Sequence, residues 1–233
     1  MSRRLTPGAA ALAAGAALML SQAPAFAQAA TPTQTGALAQ AANPVPVANP
    51  AQAHAPAPAA VARKLFRAWL RGDRAAAAKV ASPAAVSSLF AYVYRAPDRF
   101  AGCTGNACRF TYTSVRVPGG LNGILMVVSG PKVTKVYTSS HLTKPSLAAT
   151  SLFKAWTLND RSRALQFAAV PAVKTLFRTK YDPKGVTHTF QGCSAEPKGH
   201  ACAYSYEGGA MLMHVRGSKH AGYDVRSITY IAD

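Results

Sequence analysis

The chain has 233 residues, 49% of them hydrophobic and 15% charged, and its 26 Lys and Arg against 8 Asp and Glu give a net charge of +18. A charge of that size concentrates anions and negatively charged surfaces around the protein, but it selects no fold. So few carboxylates leave acid–base chemistry little to work with, and there is no G-x-S-x-G nucleophile turn, no phosphate-binding glycine loop and no H-E-x-x-H motif.

The N-terminus reads as an export signal. Met1, Ser2, Arg3 and Arg4 form a charged start, residues 8–20 a short apolar run, and Ala25, Phe26 and Ala27 an A-x-A cleavage site, which assigns residues 1–27 to a signal peptide. As a helix the apolar run rises only about 20 Å, short of a hydrocarbon core of about 30 Å, so the mature protein is expected to carry no transmembrane segment. Gln28 rather than Cys follows the cleavage site, which argues against a lipid anchor. Ser2, Arg3 and Arg4 also hint at twin-arginine export, a pattern that Leu5, Thr6 and Pro7 fit poorly.

Residues 28–60 contain no Asp, Glu, Lys or Arg and consist mostly of Ala, Pro, Gln, Thr and Asn. Such a stretch has too little apolar surface to offset the entropy of ordering, and its prolines favour extended backbone, so it is expected to be a disordered linker. Two of the 26 basic residues lie in the signal, so residues 61–233 keep 24 against all 8 acidic ones, a net of +16.

Beyond the linker one helix start is written twice. LFRAWLRGDR from Leu65 returns 87 residues later as LFKAWTLNDR from Leu152, and residues 65–94 laid on 152–181 give 13 identities in 30 positions. Similarity that dense indicates an internal duplication, with repeats at 61–144 and 145–233. Leu65, Phe66 and Trp69, like Leu152, Phe153 and Trp156, fall at i, i+1 and i+4, one stripe of a helix. Gly72 and Asn159 suit the left-handed position beyond a helix end, and Asp73 and Asp160 suit the N-cap of a following helix. A third helical segment carries Val86, Leu89, Phe90 and Tyr94, matched by Val173, Leu176, Phe177 and Tyr181.

The rest of each repeat reads as strands. In the first they are expected over residues 108–117, 124–128 and 132–138, preceded by Phe100, Gly102 and Cys103, which answer Phe190, Gly192 and Cys193. In the second they are expected over 186–193, 201–207, 210–216 and 223–231, with turns at Gly119–Gly120, Gly130–Pro131, Gly208–Gly209 and Gly217. The expected fold is therefore α+β: two tandem repeats, each with N-terminal helices packed on an approximately four-stranded antiparallel sheet.

Four cysteines fall in two close pairs, Cys103 with Cys108 and Cys193 with Cys202, which in an oxidising compartment read as disulfides. The rival is a zinc site of all four with His200, but the C-x4-C and C-x8-C spacings depart from the tight C-x2-C form, and the pairs belong to different repeats.

With the Trp helix, the GDR or NDR turn and a sheet begun by F-x-G-C, each repeat resembles the cystatin-like and NTF2-like superfamily of cone-shaped α+β domains, and small exported bacterial domains with an A-W-x-x-[GN]-D-R helix. The resemblance implies a pocket between the helices and the concave sheet face, near Trp69, Phe110, Tyr112, Trp156, Tyr204 and Tyr206. It names no chemistry, because that fold hosts isomerases, dehydratases, binding modules and dimerisation domains.

His214 lies in an apolar strand where the first repeat has Val127, and is either a strand-surface substitution or a pocket residue peculiar to the second repeat. Asp98, Asp182, Asp224 and Glu207 fall near turns or strand edges, and no catalytic residue, cofactor or metal ligand is assigned. Nucleic acid is disfavoured as a partner, because stacking needs exposed aromatics on a sheet face that the helices must cover.

The leading expectation is a secreted, non-enzymatic binding or structural module of the cell envelope. Arg116, Lys132, Lys135, Lys174, Arg178, Lys180 and Lys184 would contact anionic envelope polymer or lipid headgroups through many salt-sensitive interactions. The alternatives are a pocket enzyme or small-ligand carrier using the second repeat, with His214 and Tyr206 in its cavity, and, with no distinguishing residue, a protease inhibitor.

Overall fold

A computed structural model describes residues 57–232, all within one structural unit. The expected signal peptide and residues 28–56 of the expected linker lie outside the described residues. Three helices, α1 (Pro58–Leu70), α2 (Arg74–Val80) and α3 (Pro83–Phe90), precede strands β1 (Arg99–Thr104), β2 (Ala107–Thr111), β3 (Gly123–Ser129) and β4 (Lys132–Thr138). The order then recurs as α4 (Pro145–Thr157), α5 (Arg161–Ala164) and α6 (Val170–Leu176), followed by β5 (Thr189–Glu196), β6 (Gly199–Tyr206), β7 (Gly209–Ser218) and β8 (Gly222–Ala232). Each set of four strands forms its own antiparallel meander, so the architecture is α+β with two four-stranded sheets.

The first helix begins at Pro58, three residues inside the expected linker. Proline costs nothing in a first turn, where its missing N–H would have no partner, and two alanines then carry the helix onward. The stops behave as their residue types dictate. Gly72 and Asn159 adopt φ of +68° and +51°. Asp73 Oδ1 then accepts from Ala76 N at 2.8 Å, and Asp160 Oδ1 from Arg163 N at 2.9 Å, capping α2 and α5. The third helices end at Phe90 and Leu176, so Tyr94 and Tyr181 stand beyond them.

Two expected strands are corrected. The strand expected over 108–117 stops at Thr111, because Asn122 turns back on Tyr112: Tyr112 N donates to Asn122 O and Asn122 Nδ2 to Tyr112 O, both at 3.0 Å. These bonds close residues 112–122 into a loop. The strand expected from 186 begins only at Thr189, the first residue paired with β6.

Each sheet turns one face to its helices. In the first half Leu65, Leu89, Phe110, Ile124 and Met126 form that core, and in the second half Leu152, Leu176, Tyr204, Met211 and Met213 do so. Cross-strand disulfides Cys103–Cys108 and Cys193–Cys202 clamp the β1–β2 and β5–β6 hairpins, with Cα separations of 4.0 and 3.9 Å. All four cysteines are thereby consumed, which removes the zinc alternative.

The second half covers the opposite face of the first sheet. Leu165, just after α5, packs on Leu121, Leu125 and Tyr137, and its carbonyl accepts from Gly120 N at 2.8 Å. Gln166 Nε2 donates to Thr138 O at 2.9 Å, Tyr137 OH to Asp160 Oδ2 at 2.9 Å, and Gly119 N to Asp224 Oδ2 at 2.8 Å. Asp224 is buried, and Arg226 Nε balances its charge at 2.7 Å. Among the described residues no helix is long and apolar enough to cross a membrane.

Candidate functional site

The same ring arrangement lies between helix and sheet in both halves. Phe66 of α1 stacks on Phe110 of β2 at 4.1 Å between centroids, and Phe100 tilts against Phe110 at 5.0 Å. In the second half Phe153 stacks on Tyr204 at 4.2 Å, and Phe190 tilts against it at 5.0 Å. These rings sit where the F-x-G-C start of the sheet meets the i, i+1, i+4 stripe of the helix.

What surrounds the rings differs. In the first half they floor a cavity of about 300 Å³ at the edge strand β1, with Leu70 and Pro97 completing the apolar lining and Arg63, Arg67, Arg99 and Asp98 around it. Arg63 holds its guanidinium 4.1 Å over the Phe100 ring, a cation–π contact. Arg67 bonds back to the Arg63 carbonyl through Nε at 3.4 Å, which fixes its stem against the helix. Asp98 is spent elsewhere: Oδ1 accepts from Thr113 N at 2.9 Å and Oδ2 from Thr113 Oγ1 at 2.8 Å. The cavity thus presents guanidiniums and aromatic surface, with its one carboxylate already engaged.

In the second half Arg63, Arg67 and Arg99 are replaced by Thr150, Lys154 and Thr189, and Asp98 by His188. The His188 ring packs among Phe153, Trp156 and Tyr206 at 5.2 to 5.6 Å between centroids. Trp156 Nε1 donates to Thr179 O at 2.8 Å, locking the indole into this cluster. Trp156, Tyr204 and Tyr206 are linked in one ring cluster through Phe153 and His188.

His214 does not join them; of its two readings, the geometry matches the strand-surface substitution and not the pocket residue. Along β7, Met211, Met213 and Val215 are buried against the helices, so strand alternation turns His214 to the other face. There Nδ1 meets Glu196 Oε2 at 2.9 Å and Nε2 meets Thr229 Oγ1 at 3.0 Å, while Arg216 bonds Glu196 Oε1. The Arg216 hydrogen bond foremost, and that of His214, hold the Glu196 carboxyl below the usual carboxylate range against the opposing effect of burial.

The reason for this polar network is positional. Strand pairing sets His214, Thr229 and Leu212 where the first sheet has Val127, Tyr137 and Leu125. In the first sheet that surface is apolar and carries Leu165 of the second half. In the second sheet hydroxyl, imidazole and carboxylate satisfy one another instead, so the corresponding surface is polar.

Of the other expected pocket residues, Phe110 lines the cavity. Trp69 packs behind it, 5.5 Å from Phe66 and 6.0 Å from Tyr92. Tyr112 sits outside, bonded through its hydroxyl to Tyr92 OH and the Arg95 carbonyl. The expected anion contacts Arg116, Lys132, Lys135, Lys174, Arg178, Lys180 and Lys184 are all exposed. Lys132 and Lys135 stand on β4, Lys174 on α6, and Arg178, Lys180 and Lys184 in the segment leading to β5.

Sequence reasoning passed over Arg63, Arg67, Arg99 and Glu196. The signal for the first two was an i, i+4 arginine pair on one helix that its copy does not keep. Comparison with protein-family models, curated proteins and solved structures returned no match.

Proposed function

We propose that this protein is an exported, non-enzymatic binding module of the cell envelope, formed from two tandem cystatin-like or NTF2-like units, that holds to anionic polymer through its basic surface. The observation that carries this reading is where the carboxylates go. Asp73, Asp160 and Asp182 accept bonds from backbone N–H groups that follow them closely in the chain, and Asp98 from Thr113. Glu196 and Asp224 are taken by Arg216 and Arg226. Among the described residues those are the two arginines paired with a carboxylate, and Arg109 turns inward to the Gly120 and Leu121 carbonyls, so the exposed Lys and Arg that remain keep their charge for an outside partner. Exposed charges of one sign attract a polyanion over about a Debye length, some 8 to 10 Å at ordinary salt, and each contact is weak. Many contacts along one chain then add up.

The internal duplication supports the tandem-unit reading, and the hairpin disulfides agree with an oxidising location. The test is a variant with Lys174, Arg178, Lys180 and Lys184 all changed to Gln, all four being exposed. Retention on an immobilised polygalacturonate column should fall clearly, with the melting temperature unchanged. Equal retention of the variant and the parent would reject the reading.

A further inference from the structure

The cavity on the first half is built differently from a surface patch, and we infer that it is a ligand site for a small organic anion: a carboxylate carried on a flat apolar body. The floor selects the body. Phe66, Phe100, Phe110, Leu70 and Pro97 offer apolar surface, and at about 300 Å³ the space matches the lower end of small-molecule sites, enough for one or two fused rings.

The rim selects the charge. Arg63, Arg67 and Arg99 are planar donors whose N–H forks match a carboxylate in two-point fashion, and Phe100 under Arg63 restricts that fork before any ligand arrives. Asp98, bonded to Thr113 through both oxygens, is one negative charge against three guanidiniums, so the rim keeps an excess of positive charge. Leu70, 55% exposed at the end of α1, is a large apolar lining side chain that a ligand would cover. A bare polyanion would leave the aromatic floor unused, and a neutral hydrocarbon would leave the guanidiniums unused. A ligand with both parts engages the whole site.

The second half provides an internal comparison. It keeps the ring floor but carries Thr150, Lys154 and Thr189 for the arginines, with His188 packed against Phe153, Trp156 and Tyr206. The site therefore belongs to the first half alone.

The inference is independent of polymer binding, and the two can fail separately. The test is calorimetric titration of the oxidised protein with 2-naphthoate, with its neutral isostere 2-naphthamide and with inorganic phosphate. Naphthoate should bind at one site, at least tenfold tighter than either of the others, since a hydrogen bond to a charged group is worth about a factor of ten or more. Arg63→Gln, Arg67→Gln and Arg99→Gln should each weaken naphthoate about tenfold, while Arg178→Gln and Lys184→Gln leave it unchanged. Naphthamide binding as tightly as naphthoate, phosphate binding as tightly as naphthoate, no naphthoate binding, or naphthoate affinity indifferent to the three rim variants would each overturn the inference. The ligand comparison needs no variant, so it holds even where a substitution disturbs folding.

Discussion

Asp160 and Tyr137 join the two halves through one carboxylate: Oδ1 caps α5 while Oδ2 accepts the Tyr137 hydroxyl at 2.9 Å. Its counterpart Asp73 caps α2 in the same way through Oδ1. Asp73→Ala should therefore cost about 1 kcal/mol, the worth of a cap. Asp160→Ala should cost about 2 kcal/mol or more, because it also strands a buried phenol. Urea unfolding of the two variants and of Tyr137→Phe measures the difference, and equal losses for the two aspartates would remove the link between halves.

The same tyrosine sets a behaviour at alkaline pH. Burial, then the bond to Asp160, pushes Tyr137 up to about 12, and burial pushes Tyr204 up to about 12. A raised value in the folded state means that the unfolded chain gives up its proton first. These groups therefore support folding fully below about pH 10, the ordinary tyrosine value, and lose that contribution as pH rises towards 12. Stability measured across this window should fall, and Tyr137→Phe should flatten part of the fall.

The hairpin disulfides close short loops, with partners 5 and 9 residues apart. Chain entropy assigns about 2 kcal/mol to the first and about 2.6 kcal/mol to the second. Replacing Cys193 and Cys202 by Ala should therefore lower the midpoint of unfolding more than the same change at Cys103 and Cys108, as followed by chemical denaturation without reductant.

His214 packs away from both ring clusters and answers to Glu196 and Thr229. His214→Val, which installs the residue type of the first half, should leave polymer retention and naphthoate affinity unchanged. Because Glu196 is held below its ordinary value, its pairing supports folding above about pH 4.5 and is lost as pH falls through the lowered value. Glu196→Gln should make acid unfolding slightly less steep.

Much of this architecture was legible because local chemistry dictated it. Gly72 and Asn159 ended helices, Asp73 and Asp160 began them, and cysteines across from each other in a hairpin found their partners. The loop over residues 112–122 was not legible, since the strand-like alternation of Phe110 and Tyr112 runs on past the point where Asn122 turns the chain. The placement of His214 could not be read from the substitution of Val127 alone. Deciding its face required the register of β7, and its partners came from β5 and β8, distant in sequence. The cavity arginines were hidden for a similar reason: Arg99 reaches Arg63 and Arg67 only once the edge strand lies beside the first helix.

The central claim is that the basic surface holds anionic polymer through many exposed, weak contacts. Association of the oxidised protein with polygalacturonate, followed by co-sedimentation from low salt to 0.5 M salt, about where screening shrinks to a few ångströms, addresses it directly. The account predicts binding at low salt that falls steeply and is lost at the high end. Binding that is absent at low salt, or unchanged by salt, would contradict it.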